Sequence, residues 1–461
     1  MKKVLLLNPP GKELYLRDQH CGSISKSYYY WPPVDLLMMS GILFDEYELM
    51  VIDAIIEKSD EKNTQQKIVL FHPDFILFVT SFVSWTQDLD FLGKVKEATS
   101  ATIIASGGIL RTNYRSIMER YKYLDAVLFD FTSHYIKNYL EGNLDDVHDM
   151  CYRVDENIIK TTYSDLKQFD MPIPRHDLFK IEKYRLPHAR KSPFTSVLTN
   201  YGCPYTCNYC IAECIDFKYR SVESVMDELH FITSLGIREI FFKDFTFGIP
   251  KHIAEELCAR ISGELPKLSW ICSSRVDVLD ERMLALMKHA GCHTIQFGVE
   301  TASQYLLDET NKLTNINRIE ETFKTCGKLG IRTLAHFILG IPGETEEGLR
   351  STIAFSKKIK CDFASFNVYM PIIGTSLREK CIDNHWIIDE TDEFDPSRGY
   401  PHVETKELSR EKIWELRNVA LKTFYLRPGY VFKKLKGIRN FYELKVNVRE
   451  GFELIKSIKF K

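Results

Sequence analysis

Short apolar runs alternate with stretches of helical periodicity through the first 140 residues of the chain. The pattern predicts a helix over residues 33–43 and strands over residues 4–7, 49–53, 75–80 and 102–106. Strands that are apolar throughout and are separated by helices are typical of a parallel sheet covered by helices on both faces. We therefore predict an α/β fold for residues 1–140, with a doubly wound sheet that binds ligands at the carboxyl ends of its strands.

A more regular series of strands, each followed by a helix, begins near residue 194. The predicted strands cover residues 195–199, 239–242, 268–273, 294–300, 333–339 and 363–369. Polar candidates for chemistry stand at the ends of these strands, where barrels of alternating strands and helices place their functional residues. We predict a barrel-like α/β domain over residues 191–390, preceded by a linker at 141–190 and followed by a small, mostly helical region at 391–461.

Composition and charge exclude several classes of protein. Apolar residues make up 44% of the 461 residues and charged residues 27%, as in ordinary globular proteins. The formal net charge of −2 gives no basic footprint for nucleic acid, and there is no uninterrupted apolar run of about 18 residues that would span a membrane. Twelve cysteines without paired spacing indicate reduced thiols. We therefore expect a cytoplasmic protein with neither a nucleic-acid nor a membrane partner.

Three closely spaced cysteines, Cys203, Cys207 and Cys210, follow the first of these later strands. Their spacing suits three corners of a [4Fe–4S] cube and leaves one iron open, whereas ordinary electron-transfer clusters are closed by four thiolates. Two alternatives remain open: Cys214 as a fourth thiolate that closes the cluster, and a zinc site. Structural zinc sites usually take two separated pairs of ligands, and no second Cys-x2-Cys or His-x3-His follows in the sequence. The open cluster is the favoured interpretation.

The motif Cys-x3-Cys-x2-Cys, with Tyr209 before its last cysteine, resembles the signature of the radical SAM superfamily. The resemblance implies that Cys203, Cys207 and Cys210 bind the cluster and that the open iron chelates S-adenosylmethionine. One-electron cleavage then gives methionine and a 5′-deoxyadenosyl radical, which abstracts hydrogen from a small-molecule substrate. The electron comes from a reductant such as flavodoxin or ferredoxin. By the same resemblance Tyr209 packs near the adenine; alternatively, its ring covers the cluster edge.

The resemblance also implies a partial (β/α)6 TIM-type barrel, open on one side for substrate, with roles for residues at its strand ends. Asp244 and Thr246 follow the second strand and lie near the methionine amino group; alternatively, Asp244 caps the next helix. Arg275, after the third strand, presents a bidentate fork for the methionine carboxylate or the substrate. A salt bridge to Asp277 is the alternative for Arg275.

Two further strand ends resemble the ribose and adenine contacts of the family. Glu300 closes the fourth strand, where a carboxylate accepts both ribose hydroxyls. The fifth strand ends at residues 340–345, and the glycines there permit a tight backbone that hydrogen-bonds a flat base. Gly340, Pro342 and Gly343 are therefore the expected adenine-side residues. Without the family, the same segment is a turn followed by a helix start.

The order of the two predicted domains resembles the cobalamin-binding subgroup of the superfamily, in which a Rossmann-like domain precedes the radical SAM core. The resemblance implies that the loops bearing Asn8, Pro9, Gly107 and Gly108 lie against the corrin, where glycine lets the backbone approach closely. The alternative is that both glycines only form a strand-to-helix turn. The chain lacks the Asp-x-His-x-x-Gly motif by which many cobalamin proteins supply a histidine ligand.

Three hypotheses for function follow. The first is a cobalamin-dependent radical SAM methyltransferase, in which the adenosyl radical abstracts hydrogen from a substrate carbon and methylcobalamin supplies the methyl group. The second is a radical SAM dehydratase, epimerase, cyclase or rearrangement enzyme that does not use cobalamin. The third is a non-catalytic iron–sulfur protein, which would leave the open cluster and the polar strand ends without a purpose.

Overall fold

The structure, a computed structural model, describes residues 1–19, 22–26, 29–389, 391, 393–397, 399–437, 448, 451 and 452. Within these residues the chain forms a seven-stranded sheet, a six-stranded sheet and two smaller sheets, joined and covered by helices. The two large sheets are wholly or largely parallel, which confirms the prediction of an α/β protein. Most of the predicted C-terminal tail beyond residue 437 lies outside the described residues.

The seven-stranded sheet, called the front sheet below, belongs to the first 160 residues. The strands of this part are β1 Lys3–Asn8, β2 Tyr15–Leu16, β3 Ser23–Ile24, β4 Glu48–Asp53, β5 Phe75–Val79, β6 Thr102–Ser106, β7 Ala126–Leu128, β8 Met150–Val154 and β9 Asn157–Lys160. Its helices are α1 Val34–Leu43, α2 Ala54–Glu57, α3 Glu61–Phe71, α4 Trp85–Ala98, α5 Gly108–Arg120 and α6 Ile136–Glu141. The strand order is β4-β1-β5-β6-β7-β8-β9, and β2 pairs with β3 separately.

Residues 150–160 differ from the sequence prediction, which placed them in a linker. β8 and β9 form an antiparallel hairpin, and β8 pairs antiparallel with β7, so the front sheet extends beyond the predicted boundary at residue 140. Both strands are short, and β9 is mostly exposed at the sheet edge. Because an exposed edge strand needs no apolar face, its residues show no apolar period from which a strand is predicted.

The second large sheet, called the second sheet below, supplies the elements after residue 190. The strands after residue 160, six of which form this sheet, are β10 Gln168–Phe169, β11 Thr195–Val197, β12 Asn200–Tyr201, β13 Lys218–Arg220, β14 Glu239–Phe242, β15 Ser269–Ser274, β16 Cys292–Glu300, β17 Arg332–Leu339 and β18 Phe363–Val368. The helices are α7 Val222–Ser234, α8 Lys251–Glu264, α9 Glu281–His289, α10 Gln304–Glu309, α11 Ile316–Leu329, α12 Glu346–Lys358, α13 Ser376–Asp383, α14 Arg410–Tyr425 and α15 Pro428–Gly437.

The strand order of the second sheet is β11-β14-β15-β16-β17-β18, and every neighbouring pair is parallel. All six predicted strands are present, with ends displaced by at most two residues. Parallel neighbours that follow one another in the chain need crossover connections, which the intervening helices provide. The carboxyl ends of all six strands therefore lie along one edge. β10, β13 and β12 form a separate small sheet.

The two large sheets share one hydrophobic core, a continuous cluster of buried side chains that runs from β1 and α1 to the strands of the second sheet. On its other face the front sheet packs against α4 and α5, and this second cluster takes in Ile211, which follows Cys210. The cysteine segment therefore lies where the two sheets meet. None of the described helices combines the length and apolar character needed to cross a lipid bilayer.

Candidate functional site

The three motif cysteines stand on a loop that leaves β12, called the cysteine loop below (residues 202–214). The loop begins at Gly202, whose φ of +74° lies in the left-handed region. A Cβ at this position would come within 2.2 Å of the carbonyl oxygen of Asp216, so only glycine fits the turn. Cys203, Cys207 and Cys210 are free thiols, and Cys207 is buried. Gly202 was not among the predicted residues.

Asp244, at the end of β14, holds the segment that leads into the cysteine loop. Its Oδ1 accepts hydrogen bonds from the Thr199 and Asn200 amides at 2.7 and 3.2 Å, and its Oδ2 accepts one from Thr199 Oγ1 at 2.7 Å. Burial raises the pKa of Asp244 to about 6. Nearby, Thr246 Oγ1 lies 3.7 Å from Cys203 Sγ. The alternative in which Asp244 caps the next helix is wrong, because α8 begins only at Lys251.

Arg275, beyond the end of β15, lies against the cysteine loop. Its guanidinium donates to the Asp277 carboxylate at 3.0 and 2.9 Å, to the Lys312 carbonyl oxygen, and to Cys207 Sγ at 3.4 Å. The guanidinium carbon lies 3.8 Å from the ring centroid of Tyr205, which stands between the first two cysteines of the motif. The structure thus contains the salt bridge to Asp277 that the sequence analysis left as the alternative.

Glu300, the last residue of β16, carries a buried ion pair. Lys312 Nζ lies 2.7 Å from Glu300 Oε1, and both side chains are less than a tenth exposed. The register between β16 and β17 shifts between Gly298 and Glu300, and Glu300 itself has a φ of +64°. A Cβ at Gly298 would lie 2.3 Å from Glu300 Oε1, so this glycine makes room for the carboxylate. Neither Lys312 nor Gly298 was predicted.

The turn after β17, called the glycine loop below (residues 340–345), has the predicted tight backbone. Gly340 and Gly343 have φ values of +79° and +90°, and Pro342 between them is buried. Glu344 folds back so that its Oε2 accepts the Gly340 amide at 2.7 Å, while its buried Oε1 has no hydrogen-bond partner among the described residues. Burial raises the pKa of Glu344 to about 8. Thr345 caps α12.

Tyr209 connects the cysteine loop with the glycine loop through an apolar cluster. The cluster contains Leu306, Ile341, Tyr369, Leu377, Cys381 and Val403, and the ring of Tyr209 packs against it. Ile341 belongs to the glycine loop, so Tyr209 packs against the same apolar cluster as that loop. Burial raises the pKa of Tyr209, and the nearby Glu300 carboxylate adds to this effect. The structure therefore brings Tyr209, Glu300 and the glycine loop together.

The three thiols of the cysteine loop lie close enough to affect the ionisation of one another. Burial raises the pKa of Cys210 to about 12, and Cys207 and Cys203 act in the same direction. Buried thiolates that repel one another need a compensating cation, which a bound metal supplies. Among the residues that the structure describes, however, no three His, Cys, Asp or Glu side chains converge on one metal ion.

Comparison with known proteins identifies the family. The sequence profile of the radical SAM superfamily matches residues 197–356, which include the cysteine loop and the glycine loop. An uncharacterized methyltransferase of Pyrococcus horikoshii is 30% identical over 451 residues, which cover 94% of either chain. The chain belongs to the radical SAM superfamily. This confirms the resemblance that the cysteine motif predicts.

Two further similarities extend over most of this radical SAM chain. An anaerobic magnesium-protoporphyrin IX monomethyl ester cyclase of Rubrivivax gelatinosus is 24% identical, over 92% of this chain and 80% of its own. Among solved structures, the radical S-adenosylmethionine methyltransferase TsrM of Kitasatospora setae, with cobalamin and a [4Fe–4S] cluster bound, aligns over 99% of both chains. The TM-score is 0.69 at 16% identity, so this similarity shows a shared fold.

Family membership confirms the predictions of an enzyme, of a [4Fe–4S] cluster and of S-adenosylmethionine, and the third hypothesis, a non-catalytic protein, is wrong. Cys214, the alternative fourth thiolate, donates from Sγ to the Gly374 carbonyl oxygen at 3.2 Å. Asn200 Oδ1 and Glu344 Oε1 are buried acceptors without a partner among the described residues, and they lie beside the two motif loops. Such acceptors suit a ligand with amino and adenine N–H groups.

The predicted corrin residues lie at the carboxyl edge of the front sheet, where the chain itself engages them. The Asn8 amide donates to Asp53 at 2.9 Å and accepts from Arg17 at 2.9 Å. Pro9 contributes its carbonyl oxygen to the same arginine at 2.8 Å. A Cβ at Gly107 would lie 2.2 Å from the Thr80 carbonyl oxygen, and Gly107 has a φ of +150°. Packing within the front domain therefore accounts for Gly107 without a bound corrin.

Gly108 begins α5 next to a loop from the first 30 residues. A Cβ at Gly108 would lie 3.1 Å from the Gln19 carbonyl oxygen and from a ring carbon of Phe82. The absence of a side chain at Gly108 thus leaves room for the Gln19 backbone and the Phe82 ring at the carboxyl edge of the front sheet. The polar groups of Asn8 and Pro9 are hydrogen-bonded within the domain. They offer cobalamin no free ligand, and the case for a corrin here depends on the location of the carboxyl edge of the front sheet, next to the cysteine loop.

Arg111 of α5 joins the front domain to the cysteine loop, and the sequence analysis missed it. Its guanidinium donates to the Cys214 carbonyl oxygen at 3.2 and 3.0 Å, to the Phe129 carbonyl oxygen at 2.7 Å and to Tyr201 Oη at 3.2 Å. Tyr201 Oη in turn donates to Gln19 Oε1 at 2.8 Å. An arginine in an amphipathic helix gives no signal of such a contact, because its partners Tyr201 and Cys214 lie 90 and 103 residues further along the chain.

Proposed function

We propose that this radical SAM enzyme transfers a methyl group to a carbon atom of a small-molecule substrate, with cobalamin held between the front sheet and the cysteine loop. The observation behind the proposal is the contact between these two parts through Arg111, Tyr201 and Cys214. Ligands of doubly wound sheets bind at the carboxyl edge, so a planar ligand there would lie beside the cysteine loop. The Pyrococcus relative is named a methyltransferase, and TsrM, which shares the fold, was solved with cobalamin.

In this proposal the cysteine loop holds the cluster through Cys203, Cys207 and Cys210. When bound, the cluster and S-adenosylmethionine supply a one-electron cleavage that gives a 5′-deoxyadenosyl radical, and cobalamin supplies the methyl group. The task of the chain is to fix the thiols and exclude water. Asp244 fixes the entry of the loop, and Arg275 with its stacked Tyr205 fixes the middle.

The proposed contacts of S-adenosylmethionine lie on three sides of the cysteine loop. Glu300 would accept hydrogen bonds from the ribose hydroxyls, with its carboxylate held by Lys312. Tyr209 and the backbone of Gly340, Pro342 and Gly343 would enclose the adenine, and the free Oε1 of Glu344 suits its amino group. Thr246, beside Cys203, would face the methionine amino group, and Asp244 would act through the Thr199–Asn200 segment that it holds.

The finer layout belongs to the same proposal. We take the front sheet as a Rossmann-like domain that extends to residue 160, and the second sheet as a partial (β/α)6 TIM-type barrel. Substrate would enter at the side where the outer strands β11 and β18 do not pair. We also keep as proposals a cytoplasmic location and reduction by a flavodoxin or ferredoxin, because cleavage of S-adenosylmethionine needs an external electron.

Corrin extraction tests the methyltransferase proposal most directly. The protein is produced with hydroxocobalamin in the growth medium, purified without oxygen and extracted with solvent. We expect one corrin per chain by absorbance. Incubation of the reduced holoprotein with methyl-labelled S-adenosylmethionine should then move label to the corrin fraction and release S-adenosylhomocysteine. Protein that carries a full cluster but no corrin, and that forms no S-adenosylhomocysteine, would contradict methyl transfer.

A second candidate is a radical SAM cyclase or another rearrangement enzyme that does not use cobalamin. The observation that favours cyclisation is the similarity to the Rubrivivax protein, which is named a cyclase, over 92% of this chain. The engaged side chain of Asn8 and carbonyl oxygen of Pro9 are compatible with it, since a front domain without corrin needs no free edge. This candidate predicts 5′-deoxyadenosine without S-adenosylhomocysteine, so the same experiment separates the two.

A further inference from the structure

The guanidinium of Arg275 makes hydrogen bonds to other residues of the chain on nearly every side. Four of its five N–H donors point at acceptors: two at Asp277, one at the Lys312 carbonyl oxygen and one at Cys207 Sγ. One face of the group is stacked on Tyr205 at 3.8 Å. The side chain is 5% exposed. An arginine held this way cannot offer a two-pronged grip to the carboxylate of a ligand without first giving up these bonds.

The contact of Arg275 with Cys207 differs from the others, because its acceptor is a thiol of the cysteine loop. Arg275 Nη1 lies 3.4 Å from Cys207 Sγ, within the range of a hydrogen bond to sulfur. Cys207 is 7% exposed, so the contact lies where water screens charges poorly. A permanent cation next to a buried thiolate stabilises negative charge on the sulfur and on anything bonded to it.

We propose that Arg275 is a positioning residue that donates a hydrogen bond to the cluster ligand Cys207 and thereby raises the reduction potential of the cluster. The inference rests on the proposed function in that Cys207 must ligate the cluster. Reduction adds one electron, taken from a small electron-carrier protein, and with it one negative charge. Net charge and hydrogen bonds to the sulfur atoms set the potential of iron–sulfur clusters, so a cationic donor favours the reduced state.

Asp277 and Lys312 make this donor rigid. The Asp277 carboxylate receives two of the bonds and fixes the plane of the guanidinium, while the Lys312 carbonyl oxygen fixes its far edge. Lys312 also holds Glu300 through Nζ. Lys312 therefore links the two contacts: its carbonyl oxygen holds Arg275 beside the thiol, and its side chain holds Glu300, the proposed ribose contact. Lysine in place of Arg275 would keep the charge but not this fixed geometry.

The test is a redox titration of the cluster in Arg275→Gln and Arg275→Lys, followed by electron paramagnetic resonance without S-adenosylmethionine. At the potential that half-reduces the wild-type cluster, we expect the ratio of reduced to oxidised clusters to fall at least tenfold in Arg275→Gln. A tenfold change corresponds to 59 mV for a one-electron couple. Arg275→Lys should fall between the two. Iron and sulfide content of each variant are measured on the same samples.

Arg318→Gln serves as the matched control, because Arg318 donates to the Val276 and Leu279 carbonyl oxygens in the segment that follows Arg275, and no hydrogen bond joins it to a motif thiol among the described residues. In Arg318→Gln the ratio of reduced to oxidised clusters should stay within twofold of the wild-type ratio. An unchanged ratio in Arg275→Gln with a full cluster would overturn the inference. If Arg275→Gln holds no cluster, the ratio of reduced to oxidised clusters in Arg275→Lys decides. A ratio within twofold of wild type would overturn the inference, and a larger fall would support it.

Two further outcomes are also decisive. Loss of the cluster in both Arg275 variants would overturn the inference, because a donor that tunes the potential is dispensable for assembly. Wild-type protein that takes up no four-iron cluster would contradict the proposed function itself. If wild type binds the four-iron cluster and replacement of Arg275 leaves the reduction potential unchanged, only the inference is contradicted.

Discussion

Glu300 combines a left-handed backbone, burial and a lysine counter-ion in one residue. A residue other than glycine pays about 1–3 kcal/mol for such a backbone, and it persists only where surrounding contacts determine it. Here the register shift between β16 and β17 and the ion pair with Lys312 do so. Backbone strain of this kind clusters at ligand sites. The strain therefore supports the proposal that the Glu300 carboxylate meets a ligand.

Replacement of Glu300 by glutamine tests this at the scale of one residue. Glu300→Gln removes a charged acceptor from the proposed ribose hydroxyls, and hydrogen bonds to charged groups contribute about 1.5–3 kcal/mol. We expect S-adenosylmethionine to bind the cluster-loaded protein about 10- to 100-fold more weakly by equilibrium binding. Glu346→Gln, which breaks an exposed pair with Arg350, is the control. Unchanged affinity in Glu300→Gln would argue against the ribose contact.

At this scale the sequence was informative where a motif or a strand end marked the residue. The three cysteines, Glu300 and the glycine loop were found in this way, and the structure brings them together. Asn311 and Arg111 were not predicted, because their partners on the cysteine loop lie 105 and 103 residues away. Lys312 was not predicted either, because no pattern along the chain marks its pairing with Glu300 across the segment between them. Asn311, for example, donates to the Thr206 carbonyl oxygen at 2.8 Å across 105 residues.

The glycine loop shows how one element depends on another that is distant in sequence. α14 packs against β18 and α12 and brings Ile413 beneath the turn. A Cβ at Gly340 would lie 2.6 Å from Ile413 Cδ1, and the φ of +79° is itself unfavourable for any residue with a Cβ. Helix α14 therefore fixes the position of the loop proposed to face the adenine.

Gly340→Ala should destabilise the protein for both reasons, by at least about 1 kcal/mol. The measurement is the urea midpoint of unfolding followed by tryptophan fluorescence. Gly327→Ala is the matched control: Gly327 lies within α11, a Cβ there meets nothing within 4 Å, and we expect about 0.5–1 kcal/mol of stabilisation. A Gly340→Ala midpoint equal to that of wild type would show that the loop can move away from α14.

Elements with strong apolar character were predictable and those without it were not. Each strand of the second sheet was predicted to within two residues, since its buried side chains leave a continuous apolar run. The β8–β9 hairpin was missed because β9 is largely exposed at the sheet edge. The small sheet of β10, β13 and β12 was missed as well, because strands of two or three residues leave no period to read.

At the scale of the whole molecule, the two large sheets present a common region to the cysteine loop. The shared core joins them, and Arg111 reaches from the front domain to the Cys214 carbonyl oxygen. The order of the sheets was predictable from the alternation of strands and helices. The direct polar contact between them was not, because no pattern along the chain marks which residues face the other domain.

The account depends on a cluster held by the cysteine loop that cleaves S-adenosylmethionine. The most direct test compares wild type, Cys214→Ala and the triple variant Cys203→Ala, Cys207→Ala, Cys210→Ala after anaerobic reconstitution and reduction with S-adenosylmethionine. We expect wild type and Cys214→Ala to bind four irons and release 5′-deoxyadenosine, and the triple variant to do neither. Release of 5′-deoxyadenosine by the triple variant at the wild-type rate would contradict the account.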